Sequence, residues 1–195
     1  MDIREIIFQW VPKNSRVLDL GCGEGEILEF LVKNKNVKQV GIEIDTEKIE
    51  SCISKGLNVV EQDIDKGLEN FSNSSFDAVI MTQTIQVLQQ PSTALSEVTR
   101  IGKFAIVTIP NFGHWVSRFQ LLLTGKMPKT STLPESWHAT SNIHLCSIAD
   151  FEDLCNELSI NIEEKIYFNS KGVNSFFLKS FPNLFCASAV FKISK

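Results

Sequence analysis

Residues 16–31 read RVLDLGCGEGEILEFL, placing Gly21, Gly23 and Gly25 at alternate positions between Asp19 and a run with helical periodicity. A strand, a glycine turn and a helix in that order cradle a nucleotide-like ligand. The glycines let the backbone approach closely, and the helix start offers free N–H groups. A dinucleotide site uses G-x-G-x-x-G, so that a pyrophosphate meets those N–H groups. Here Gly21 and Gly23 fit, but Glu26 holds the third position and Gly25 comes one residue early. Asp19, Glu24 and Glu26 put three carboxylates around the turn, which repel a pyrophosphate and attract a cation. S-adenosylmethionine, with an ammonium and a sulfonium, suits that charge pattern, as does S-adenosylhomocysteine through its ammonium.

The rest of such a pocket can be placed by strand position. Glu43 lies near the end of the second strand, about twenty residues past the turn, where a carboxylate accepts from both ribose hydroxyls. Asp63, in VVEQDI, follows the third strand and can accept from the adenine amino group, with Ile44 and Ile64 packing on the ring faces. Cys22 sits inside the turn and Thr82 ends the fourth strand, completing the candidate cofactor set. No catalytic residue is assigned. The segment after that strand, Thr82–Gln90, reads TQTIQVLQQ and holds no group that titrates near neutrality. It also lacks the Asn/Asp-Pro-Pro-aromatic step used to methylate nucleobase amino groups.

Elements that position these residues alternate along the chain. Strands are expected at Arg16–Asp19, Gln39–Ile44, Asn58–Glu61, Phe76–Met81 and Lys103–Ile109, with helices at Glu26–Lys33, Thr46–Lys55 and Ser92–Ile101 between them. Gly56 and Gly102 follow two of the helices where left-handed caps belong. Ser147 opens a further helix to about Leu158 with Asp150 at capping-box spacing, and strands follow at Asn161–Phe168 and Ala187–Ile193. The pattern implies an α/β fold of Rossmann type, a mostly parallel twisted sheet of about seven strands, the last antiparallel, with helices on both faces. The 195 residues are expected to form one domain with an inserted segment at about 110–146.

Composition excludes several classes of function. A net charge of −4 and a pI near 5.4 leave no broad basic field for a nucleic acid backbone. No apolar run is long enough to span a bilayer. The opening MDIREIIFQW carries acids and is not a secretory signal. Five cysteines, odd in number and without close spacing, fit reduced cytoplasmic thiols better than a disulfide framework or a zinc site. His114, His138 and His144 all fall in the insert, at spacings of no metal pattern.

With DLGCGEG and GIEID in place, residues 14–109 resemble class I S-adenosylmethionine-dependent methyltransferases. Downstream, TQTIQVLQQP, IPNFGHWVSRFQLLLTGKMPKT and SNIHLCSIADFEDLC resemble the MetW family of methionine biosynthesis proteins across nearly the whole chain. Departures occur in LPESWHATSNIH, where Glu135, His138, Ala139 and Ser141 replace tyrosines and an Asp-Thr-Pro step usual in the family. The resemblance implies an accessory partner of homoserine O-acyltransferase, acetyl- or succinyl-transferring. A methyltransferase of small molecules is the alternative, and a nicotinamide oxidoreductase is disfavoured by the acidic turn. The expected partner contact is the insert, with Trp115, Arg118 and Phe119, although a helix with Trp115, Phe119 and Leu122 on one face equally suits packing on the sheet. Ile6, Ile7, Trp10 and Val11 form an amphipathic stripe, expected to pack in the core, with a lid over the ligand as the other reading.

Overall fold

A computed structural model describes residues 3–169 and 180–195. Its centre is a seven-stranded sheet in the order β3-β2-β1-β4-β5-β7-β6. The strands are β1 (Arg16–Leu20), β2 (Lys38–Glu43), β3 (Val59–Glu61), β4 (Phe76–Thr82), β5 (Gly102–Pro110), β6 (Asn161–Phe168) and β7 (Ser188–Ser194). β1 to β5 pair in parallel, and β7 runs antiparallel to both β5 and β6. The central strands read as continuous apolar runs because both faces are covered. Side chains alternate between two cores: Val17, Ala78, Ile80 and Ile106 face one, and Leu18, Val79, Met81 and Val107 face the other.

The first face is closed by α1 (Ile3–Trp10), α2 (Glu26–Lys35) and α3 (Thr46–Ser54), which supply Ile6, Ile7, Leu28, Leu31 and Cys52. Ile6, Ile7 and Val11 are fully buried, and Trp10 Nε1 donates to Glu164 Oε2 at 3.2 Å, so the amphipathic stripe is core. The second face is closed by α4 (Pro91–Ile101) and α6 (Ile148–Glu157), through Leu95, Val98, Ile148 and Phe151. Caps set the helix starts. Asp45 accepts from the backbone N–H groups of Glu47 and Lys48 at α3, and Ser147 with Asp150 forms the expected capping box at α6.

Gly102 differs from expectation. Its φ is −100°, not left-handed, because the chain passes directly from α4 into β5. A Cβ there would sit 2.7 Å from Val79 Cγ2 and 2.8 Å from Phe104 O, so close packing is what requires glycine. Gly56, at φ +74°, is left-handed as expected.

Between β5 and α6 the chain leaves the sheet. This excursion holds α5 (Trp115–Thr124) followed by an irregular stretch, and a short helical turn, Pro182–Phe185, precedes β7. Asn111 fastens both. Its Nδ2 donates to Asn183 O at 3.1 Å and Cys186 O at 2.7 Å, while its Oδ1 accepts from Gly113 N at 2.9 Å and Ile148 N at 3.3 Å. One buried amide thus joins the entry of the insert, its exit and the approach to β7.

Candidate functional site

After β1 the chain builds outward through β2 and β3, then crosses to β4 on the other side of β1. The carboxyl end of β1 therefore lies at a topological switch point, where open α/β sheets leave a crevice. The glycine turn fills that position. Gly21 N and Cys22 N both donate to Ile42 O, at 2.8 and 3.0 Å, tying the turn to β2. Gly21 has φ +72°, and a Cβ on it would lie 2.7 Å from Thr84 Oγ1. Nothing lies within 4 Å of a Cβ built at Gly23, so that side of the turn is open.

The carboxylates around the turn divide by burial. Glu24 and Glu26 are exposed, and Lys55 Nζ donates to the Glu24 carbonyl at 2.7 Å, so their field is screened by solvent. Asp19 and Glu43 are inside, 1% and 8% exposed. Repulsion of a phosphate thus rests on Asp19 and Glu43, two carboxylates rather than the three flanking ones.

Glu43 is held rigidly. Its Oε2 accepts from Gly23 N at 2.8 Å, and its Oε1 from Ile44 N at 2.9 Å and Asp45 N at 3.2 Å. A carboxylate offers about four acceptor positions, so roughly one stays open to a hydroxyl. Asp19 is the reverse case. Its Oδ1 is buried with no hydrogen-bond partner, and burial, then the charge of Glu43, push its carboxyl up to about 7. A buried acceptor without a donor has a deficit that an ammonium would fill.

The other expected residues fall as follows. Asp63 is half-buried, its Oδ1 accepting from Asp65 N at 3.0 Å and its Oδ2 lying 3.6 Å from Lys66 Nζ. Ile44 is 61% exposed at the end of β2, and Ile64 is half-buried against the core. Thr82, half-buried, ends β4. Cys22 turns its thiol inward, and a Cβ added to Gly41 would meet its Sγ at 2.6 Å, so what it offers the turn is backbone. Two further residues shape the crevice. The Thr84 hydroxyl lies 2.9 Å from Leu20 O, joining the end of β1 to the loop after β4. Asp65 accepts from the backbone N–H groups of Gln89 and Gln90, anchoring the far end of that loop. Neither carries a sequence signal beyond its nearness to a strand end.

The insert forms a separate surface. On α5 only Ser117 is buried, while Trp115, Phe119, Leu122 and Leu123 are 49%, 55%, 80% and 67% exposed. Packing on the sheet is therefore not what this helix does. Arg118 Nε donates to Gly113 O at 2.6 Å, bracing the start of α5. His114, at the same start, is buried, and its burial lowers its pKa. His138 and His144 are exposed, and among the described residues no three His, Cys, Asp or Glu side chains gather as a metal would need. No described helix is long and apolar enough to cross a membrane.

Comparison with known proteins extends this picture. A solved S-adenosylmethionine-dependent methyltransferase from Archaeoglobus fulgidus superposes with a TM-score of 0.69 at 18% identity, covering 98% of this chain and 94% of that one. The [4+2]-cyclase SpnF superposes with a TM-score of 0.70 at 13% identity, covering 99% and 80%. At such identities the likeness establishes the fold, that of class I methyltransferases. A bifunctional methionine biosynthesis protein MetXA/MetW from Rhodopirellula baltica is 30% identical over 174 residues, 85% of this chain. The chain spans only 28% of that relative's length. The family model for methionine biosynthesis protein MetW matches residues 1–193. A match of that extent, on a methyltransferase fold whose insert leaves an apolar helix face uncovered, places the chain in the MetW family of methionine biosynthesis proteins.

Proposed function

We propose that this chain is a cytoplasmic S-adenosylmethionine- or S-adenosylhomocysteine-binding accessory subunit that supports homoserine O-acyltransferase. The observation that carries the reading is the uncovered face of α5, Trp115, Phe119 and Leu122, in a chain whose relative joins MetXA and MetW in one polypeptide. Large aromatic and aliphatic side chains exposed together on a helix braced by an arginine are the residue types that anchor protein interfaces. In this proposal MetXA is the acyltransferase, acetyl- or succinyl-transferring.

The ligand assignment rests on fit. Asp19 takes the ammonium on its partnerless Oδ1, Glu43 takes a ribose hydroxyl, and Asp63 takes the adenine amino group. Ile44 and Ile64 flank the ring, and Gly21, Cys22, Gly23, Gly25 and Thr82 supply backbone and edge. S-adenosylmethionine, when bound, supplies an activated methyl group. The chain sets no titratable side chain beside it in Thr82–Gln90, which favours binding over catalysed transfer. The second reading, a methyltransferase acting on a small molecule, draws on the fold alone, and the same fold carries the cyclase SpnF.

The deciding experiment is a homoserine acylation assay with and without this protein, titrated with S-adenosylmethionine. Stimulation of the acyltransferase by the protein is expected. Steady methyl turnover on a defined acceptor, with no effect on acylation, would replace this reading with the second one.

A further inference from the structure

The uncovered side chains of α5 are not confined to one flat face. At about 3.6 residues per turn, Trp115, Phe119, Leu122 and Leu123 fall within an arc of about 100° that faces solvent. Leu121 lies outside that arc and is exposed as well, and so is Leu145 beside it. Arg118 borders the arc on this side, and with Leu121 and Leu145 it lines a depression of about 240 Å³. A cavity of about 150 Å³ holds a benzene ring, so this one has room for a large side chain of a partner.

Gln120 builds the opposite border. Its Oε1 accepts from Lys129 N at 3.0 Å and its Nε2 donates to Lys129 O at 3.2 Å, which lays the segment 127–129 along the helix. Met127 and Lys129 are both exposed there. The helix is therefore a ridge, with an apolar crest, an apolar flank on either side and a cation on each flank.

The insert is also the basic part of an acidic chain. Between 110 and 146 stand Arg118, Lys126 and Lys129 against one acid, Glu135, while the whole chain carries −4. Arg118 spends its Nε on Gly113 O, and neither it nor Lys129 forms an ion pair among the described residues.

Area decides between a flat partner and a concave one. Taking about 200 Å² for a whole large side chain, the crest exposes roughly 500 Å². Each partner in a standard interface gives about 800 Å². The crest alone falls short, whereas adding Leu121, Met127, Leu145 and the two cations brings the surface to about 800 Å². A flat surface reaches the crest only, and reaching both flanks takes a groove.

We infer that α5 docks as a ridge in an apolar groove of the acyltransferase, whose two lips carry carboxylates, one opposite Arg118 and one opposite Lys129. The inference rests on the proposed partnership and adds its geometry. Helix-in-groove recognition places anchors at i, i+4 and i+7, the spacing of Trp115, Phe119 and Leu122. The charged lips steer the two chains together and fix the direction of the helix in the groove.

The test is calorimetry of the full chain with homoserine O-acyltransferase. Phe119→Asp, on the crest, should abolish binding. Leu121→Glu on one flank and Met127→Glu on the other should each weaken it at least tenfold, because an acid then faces an acidic lip. The double variant Arg118→Gln, Lys129→Gln should bind roughly tenfold more weakly and lose most of the wild type's decline with salt. Full affinity in either flank variant, with Phe119→Asp still disruptive, leaves the partnership standing and overturns the groove. So does wild-type binding that is indifferent to salt. Absence of any acyltransferase complex, including the case where a second copy of this chain occupies α5, overturns both. Hydroxyl-radical footprinting of the wild-type complex decides without any variant. Leu121 and Met127 should both be protected together with Trp115 and Phe119, and protection of one flank alone overturns the inference.

Discussion

Replacing Asp19 with asparagine sets the demand of the ligand against that of the fold. The carboxyl is 1% exposed, its Oδ1 has no partner, and it is raised from 3.8 to about 7. At about 1.4 kcal/mol per tenfold change in ionisation, the charged form is roughly 4 kcal/mol costlier in the folded chain than in the unfolded one. The sign follows from the protons bound. Below pH 3.8 both states are protonated and no penalty exists. As pH rises from 3.8 toward 7, the unfolded chain releases its proton first, so stability falls, and above 7 the penalty is complete. At pH 5 the penalty is about 2 kcal/mol and at pH 8 about 4 kcal/mol.

An asparagine carries no charge, though its amide brings its own unmet bonds, costing on the order of 1–3 kcal/mol at any pH. The pH-dependent part survives that offset. Asp19→Asn should therefore gain about 2–3 kcal/mol relative to wild type on going from pH 5 to pH 8, read by urea unfolding with circular dichroism. The same variant should lose S-adenosylhomocysteine affinity at least tenfold at pH 8, since its amide attracts the ligand ammonium far less than a carboxylate does. For the wild type, ligand affinity should tighten nearly tenfold between pH 6 and pH 7.5 as Asp19 ionises. An unfolding difference between the two proteins that is equal at pH 5 and pH 8 would refute the reasoning, because Asp19 would then carry no buried charge to remove.

Glu43→Ala should weaken S-adenosylhomocysteine by about 10- to 100-fold, or 1.5–3 kcal/mol, and calorimetry showing equal affinity removes Glu43 from the site. NADH bound as tightly as the methyl donor would overturn the argument from charge. A radiolabelled-methyl assay with cell extract should label no acceptor above background, and one strongly labelled small molecule restores the methyltransferase reading. Arg118→Glu should weaken association with the acyltransferase while leaving ligand affinity within about twofold. Because Arg118 also braces Gly113, Phe119→Asp is the cleaner companion, and loss of ligand binding with survival of the complex would make the insert a lid instead.

The parallel half of the fold was legible because its signals are local and repeated. Apolar strand runs and three alternate glycines each report on their own neighbourhood, and the Ser147–Asp150 spacing marks a helix start in the same way further along the chain. Burial was harder to read. Glu24 and Glu26 adjoin the turn in sequence much as Asp19 does, yet the turn itself leaves Glu24 in solvent and the first turn of α2 does the same for Glu26, while the strand carries Asp19 inward. Nor does composition say whether Trp115 and Phe119 pack inward or outward, since cores and interfaces favour the same side chains. Asn111, Thr84 and Asp65 were illegible for a third reason. Each joins segments tens of residues apart, and single polar residues have no periodicity to reveal such partners.

Those long-range bonds also indicate how the two surfaces can communicate. Thr84 touches the glycine turn, with its hydroxyl 2.9 Å from Leu20 O, and two residues later Gln86 O receives Ile143 N and His144 N from the insert. A ligand that shifts the turn therefore acts on the loop that holds the segment carrying α5. Contact alone does not establish coupling, for a ligand biases a partner only if it binds the free and complexed forms with different affinity, and the bias is reciprocal. If S-adenosylhomocysteine tightens the acyltransferase complex by some factor, the acyltransferase must tighten S-adenosylhomocysteine by the same factor. Thr84→Val keeps the bulk beside Gly21 and deletes the hydroxyl. Both binary affinities should survive in this variant, while the factor linking them moves toward one. A folded Thr84→Val protein with the wild-type factor would mean that any coupling bypasses this loop, and that the shared edge of the sheet is only where the two sites happen to sit.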